Sequence, residues 1–204
     1  MKRICLPMLA LVLSPAVLSA ESLQTMNYQA QLTPSLENPS ATADASGNAS
    51  IAIHVRRDDE GKALAAYVDF NIHYELGQPQ TLLAMHIHKA LPGVNGPVVI
   101  SGNLGTSISA DVGPGRIFRQ TVVDTESGLA VVEDILKNPG NYYFNMHSAA
   151  NPGGIVRGQL EPVEQLTLLE MNKKLETMAA DLSNVELLLT KLAAKAGFVP
   201  YPVE

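Results

Sequence analysis

Cysteine is almost missing from this chain: Cys5 is the only one in 204 residues. It sits in a leader-like N-terminus, so the remainder has no disulfide, no thiolate metal ligand and no cysteine nucleophile. Long apolar runs are missing too. Only residues 4–18 approach one, and Pro7 and Pro15 interrupt it, which excludes a good transmembrane helix. The motifs GxSxG, GxGxxG, HExxH, CxxCH and the phosphate-binding loop do not occur, which leaves no basis for an activated serine or a cysteine-attached haem. No repeat of domain length is present.

Lys2 and Arg3 precede the apolar run, and Leu18-Ser19-Ala20 follows it with a small-residue cleavage site. Residues 1–20 are therefore expected to be a signal peptide, and the mature chain to be exported, either periplasmic or secreted. Without Lys2 and Arg3, 12 basic residues face 20 acidic ones. That surplus disfavours nucleic acid and anionic membrane as partners.

From about Tyr28 to Leu160 the pattern is that of strands. Ile51, Ile53 and Val55 alternate with polar residues, and so do Val68, Phe70, Ile72 and Tyr74. Further runs fall at 81–89, 96–102, 116–123, 142–148 and 154–160, with a short helical turn at 127–137. Turn-forming clusters separate the runs, among them Asp59-Glu60-Gly61, Gly113-Pro114-Gly115 and Asn151-Pro152-Gly153-Gly154. Seven to nine short strands of this kind predict an antiparallel β-sandwich or Greek-key barrel.

After Leu160 the period changes to seven. Leu168, Leu175, Leu182 and Leu189 form one row, and Met171, Met178, Val185 and Leu192 the row three places later. Four unbroken heptads predict a coiled-coil helix over 161–197, with Pro162 in its first turn, Gly197 as its stop and 198–204 as a tail. A homo-oligomer assembled through residues 162–196 is expected. Ala179 and Ala193 at e positions and Leu188 at g widen the apolar stripe, which leans toward three or more helices.

The chemistry lies in the histidines. Met85-His86-Ile87-His88 puts two imidazoles on one face of a strand, because side chains alternate. Asn145-Met146-His147 offers a third. With Leu83, Met85 and Ile87 directed to the core, His86 and His88 are expected on the solvent side, and Asn145 and His147 likewise. Three imidazoles without a thiolate point to zinc or copper. Tyr143 shares their outward side as a hydrogen-bonding group. Arg157 is read either as an anion guide or as a structural group, in a salt bridge or as a carbonyl clamp on the nearby turn. His54 and His73 are expected to be exposed strand residues, open as a fourth ligand only if strand order brings them near.

Ala84-Met85-His86-Ile87-His88-Lys89, Gly96-Pro97-Val98-Val99, the block from Gly140 to Ser148 and the block from Asn151 to Leu160 together resemble the CHRD domain. The resemblance covers about two thirds of the chain and implies an Ig-like or superoxide-dismutase-like β-sandwich over residues 21–160. Its fit is looser in the N-terminal part, which includes Tyr28 to Leu32, Asn38-Pro39 and Ala45-Ser46-Gly47. A weaker likeness is to copper/zinc superoxide dismutase, with His86, His88, His147 and Arg157 the counterparts by order. The bridging and zinc-site histidines and the disulfide of that family have no counterpart here. Copper is favoured over zinc by the exported setting and the dismutase-like spacing. These features favour a non-catalytic metal-binding protein. The alternatives are a mononuclear copper or zinc enzyme at the same three histidines and a metal-free structural or adhesive module. The substrate or protein partner is not specified by the sequence.

Overall fold

A computed structural model describes residues 21–163 and 168–197. The expected signal peptide at 1–20 and tail at 198–204 lie outside the described residues. The chain divides after Val163 into two units.

The first unit contains β1 (Ser22–Leu32), β2 (Ala45–Arg57), β3 (Ala63–Leu76), β4 (Gln80–Lys89), β5 (Val98–Ser101), β6 (Ile108–Ala110), β7 (Gly113–Val123), α1 (Glu126–Lys137), β8 (Tyr142–Ser148), β9 (Val156–Gln159) and β10 (Glu161–Pro162). They form two antiparallel sheets. One runs β10-β1-β2-β3-β7; the other runs β5-β4-β8-β9, with β6 also paired to β4. Alternation explains the layering: Ile51, Ile53, Val68, Phe70 and Ile72 from the first sheet meet Met85, Ile87, Phe144 and Met146 from the second in one core. Phe70 and Phe144 touch across it with ring centroids 6.2 Å apart. Each such side chain contributes roughly 1.5–3 kcal/mol by burial. In α1, Thr125 Oγ1 caps the Gly128 amide, and Val132 and Ile135 turn to the core.

β1 carries on into Thr33, whose amide and carbonyl exchange hydrogen bonds with Arg157 of β9 at 3.1 and 3.2 Å. The two sheets are thus stitched along one side. There β9 comes so close to β1 that a Cβ on Gly158 would lie 2.2 Å from the Gln31 carbonyl oxygen. Gly158→Ala is expected to cost about 2 kcal/mol or more, because backbone rather than a flexible side chain must yield. A urea midpoint unchanged by this substitution would show that the strands separate at no cost.

Several expectations are corrected. β1 escapes the pattern because its inward residues, Tyr28, Ala30 and Leu32, are interleaved with Gln and Asn and include a small alanine. Gly113-Pro114-Gly115 is the start of β7 rather than a turn. The sheet edge tolerates Pro114, and the bare Gly115 leaves room for the Tyr74 ring, 2.1 Å from where a Cβ would stand. Register shifts between Leu82 and Ala84, so Leu82 enters the core and Leu83 is exposed. Pro162 lies in β10 opposite Tyr28, not in a first helical turn.

The second unit is the helix α2 (Leu168–Lys195), 28 residues long and so roughly 42 Å. Met171, Leu175, Met178, Leu182, Val185, Leu189 and Leu192 are all exposed along it. Gly197 ends it with φ +76°. Among the described residues no helix is long and apolar enough to cross a membrane.

Candidate metal centre

Strand pairing brings the three histidines together. β4 and β8 are antiparallel neighbours, with Ala84 opposite His147, His86 opposite Asn145 and His88 opposite Tyr143. Residues opposed in this way project from the same face. His147 stands across from the small Ala84, which leaves it space to lean toward His86, ring centroids 5.2 Å apart. His86 and His88 are 5.6 Å apart, and His88 and His147 6.2 Å. One ligand nitrogen from each ring lies within 4.8 Å of the other two.

The expectation of a solvent-side face needs correction at His88, Tyr143 and Asn145, whereas His86 and His147 keep partial exposure. His88 is 8% exposed, and Tyr143, Asn145 and Arg157 are 2% exposed. The outer face of β8 is roofed by the segments 33–44 and 90–97. Asn95 Nδ2 donates to the Asn38 carbonyl at 2.6 Å and Asn38 Nδ2 to the Gly93 carbonyl at 2.9 Å, which ties the two segments together. β8 is therefore covered on both sides, and alternation locates the face without revealing its roof.

Hydrogen bonds orient the rings. His88 Nδ1 faces the Gly96 carbonyl at 2.9 Å, an arrangement that puts the proton on Nδ1 and leaves Nε2 as a lone pair. That Nε2 is buried without a partner, and so is His86 Nδ1. His147 Nδ1 lies 2.9 Å from the Pro152 carbonyl in the Asn-Pro-Gly-Gly turn, and its Nε2 lies 3.1 Å from Asn145 Oδ1. Burial, then the nearby His147 and His88, push His86 down to about 4. Burial also lowers His88, joined by the nearby His147 and Arg157, against the opposing pull of the Gly96 carbonyl and, more weakly, of the Asn145 amide. Both rings are thus held neutral, the form that ligates a cation.

Arg157 is a clamp, though not on the turn that precedes it. Its Nη2 donates to the Val94 carbonyl at 2.6 Å and its Nη1 to Asn95 Oδ1 at 3.1 Å, pinning the roof. Its guanidinium lies 3.3 Å from the centroid of Tyr143. On the neighbouring strand His88 stacks on Tyr143 at 4.8 Å and 7°. Tyr143 also accepts from the Gly96 amide at 3.3 Å. Arg157, Tyr143 and His88 are thus one stack, and the roof that Arg157 pins is the one that orients His88.

Sequence reading gave no role to Glu37. This carboxyl is 6% exposed, Oε1 has no hydrogen-bond partner, and a Cβ on Gly154 would stand 2.2 Å from it. Burial raises it to about 7, opposed by Arg157 and by a hydrogen bond from Asn145. Its only sequence signal was a carboxylate beside Asn38-Pro39 in a loosely matched stretch. His54 and His73 belong to the other sheet, on β2 and β3, where His54 binds Thr25 and Asp69. Neither joins the cluster, which among the described residues consists of His86, His88 and His147.

Comparison with curated proteins and with solved structures returns no match. The family model of the CHRD domain matches residues 28–160, the stretch that holds every strand pair of the histidine sheet. The chain therefore belongs to the CHRD-domain family.

Proposed function

We propose that this is an exported metal-binding CHRD-domain protein. One ion, copper with zinc as its competitor, is held by His86, His88 and His147, and α2 assembles copies of the chain into a homo-oligomer. The observation that carries the reading is the pair of buried, unpartnered nitrogens, His86 Nδ1 and His88 Nε2, in a cluster spanning 4.8 Å. A buried polar atom without a partner costs free energy, about 1–3 kcal/mol, which a coordinate bond removes. The three-nitrogen set and the lack of thiolate suit copper or zinc. The strand order, with crossings between sheets after β3, β6, β7 and β9, supports an Ig-like or dismutase-like Greek-key description. Export rests on the pattern of residues 1–20.

The competing reading is an enzyme in which the same ion supplies redox or Lewis-acid chemistry. Arg157 weakens it, because the guanidinium is committed to Val94, Asn95 and Tyr143 rather than held ready for an incoming anion. Reconstitution of the mature protein with copper or zinc, followed by dialysis and metal analysis, is expected to return about one equivalent. His88→Ala is expected to retain less than about a tenth. Equal retention by the two proteins removes the site. No retention by either leaves a metal-free structural or adhesive module. Superoxide turnover lost in His147→Ala would favour the enzyme.

The exposed heptad row of α2 supports assembly. Removal of everything after Val163 keeps β10 and the hydrogen bond from the Val163 amide to the Asn27 carbonyl. This truncated protein is expected to fall to single-chain mass in light scattering. If it keeps the mass of the full chain's assembly, α2 is not the assembly device.

A further inference from the structure

We propose that Asn145 is a positioning residue of the histidine centre: its amide oxygen occupies His147 Nε2 until an ion takes that nitrogen, while its NH2 stays directed at the Glu37 carboxyl. The inference rests on the metal reading above and specifies how the third ligand is released.

The three rings are not equally ready. His86 Nδ1 and His88 Nε2 have no partner to give up, whereas both nitrogens of His147 face oxygen, Pro152 O at 2.9 Å and Asn145 Oδ1 at 3.1 Å. A neutral imidazole carries one N–H, so it cannot donate to both. The Pro152 carbonyl is backbone and fixed in its turn. The Asn145 carboxamide can rotate and present either its oxygen or its NH2. Asn145 is therefore the adjustable partner, and it selects which nitrogen of His147 carries the proton. With the amide oxygen turned to the ring, His147 holds its proton on Nε2, the wrong nitrogen for coordination. With the NH2 turned to the ring, or with an ion in its place, the proton sits on Nδ1 and is satisfied by Pro152.

Asn145 is 2% exposed, and Glu37, from the segment after β1, already accepts from its NH2. Gly154, at φ +136°, makes room for this carboxyl, since a Cβ there would stand 2.2 Å from Glu37 Oε1. An acceptor oxygen on the NH2 keeps the amide oxygen turned to His147 in the absence of an ion. Arg157 stands opposite Asn145 on β9 but spends its donors on the roof, which leaves Glu37 as the group that holds the amide in place.

Two measurements on the full mature chain test this. In competition with a chelator, Asn145→Ala is expected to bind zinc or copper about two- to tenfold more tightly than wild type, because one competing hydrogen bond is gone. A purely structural residue would weaken binding instead. Zinc loading of the wild-type protein, followed by nitrogen NMR, is expected to shift the Asn145 side-chain NH2 signals together with His147 Nε2. This second arm holds even if the variant does not fold. Equal or weaker binding by a folded variant, or NH2 signals that stay put on loading, overturns the role of Asn145 while leaving the centre intact. Failure of both proteins to bind either ion overturns the centre itself, and this inference with it.

Discussion

Arg157→Ala is expected to cost about 3–5 kcal/mol of folding stability, one of the two largest changes the structure predicts for a single substitution. The side chain is almost fully buried, yet its role is spread over three neighbours. It holds the 90–97 roof through Val94 and Asn95, lies on Tyr143, and is the positive charge nearest the buried Glu37. Alanine removes the clamp, leaves a cavity beside Tyr143 and strands the Val94 carbonyl and the Glu37 carboxyl without their cation. Lysine is a poor substitute, because an ammonium cannot stack flat on a ring while donating to two fixed acceptors. Urea denaturation measures the loss. A cost below about 1 kcal/mol in the alanine variant, typical of a surface change, would mean that the roof stands without Arg157. In a folded variant the His88 ring is also expected to lose its fixed tautomer, since Gly96 belongs to the same roof.

What was legible in the sequence was local. Alternation places His86 and His88 on one strand face and His147 on another, and CHRD-like blocks put those strands in one domain. Ring positions follow from register, and register follows from which residues enter the core, so the three histidines were identifiable before their pairing was known. The bulge at Leu82 to Ala84 was not legible, because Leu82 and Leu83 are chemically alike and only the packed core chooses between them. Nor was the roof. Segments 33–44 and 90–97 carry Pro, Gly and Asn, which signal a turn but not where the turn lies down. Alternation alone therefore puts Tyr143 and Asn145 on an open face, whereas both are 2% exposed beneath the roof. Glu37 was invisible for the same reason: its significance comes from Arg157 and Asn145, more than a hundred positions away.

Glu37→Gln is expected to reshape the pH dependence of stability in the metal-free protein. Burial keeps the Glu37 carboxyl protonated up to about 7 in the folded chain, against 4.5 as its ordinary value. Between those values the folded state binds more protons than the unfolded one. The stability this group contributes is therefore fully present below 4.5 and is lost as pH rises through 7. Glutamine keeps a neutral group of the same shape at every pH, so this loss disappears. Wild type and variant are expected to match near pH 4.5, with the variant about 3 kcal/mol more stable near pH 8.5. His86 works in the opposite sense. Its folded value of about 4 lies below the ordinary 6.5, so its contribution is present above 6.5 and is lost as pH falls through 4. In the wild type the two slopes offset each other across the shared window. In Glu37→Gln only the histidine slope remains, and stability is expected to climb with pH until it levels off above 6.5. Parallel curves for the two proteins over that range would show that Glu37 ionises as an exposed carboxyl does, and that the pocket beside Gly154 is open to water.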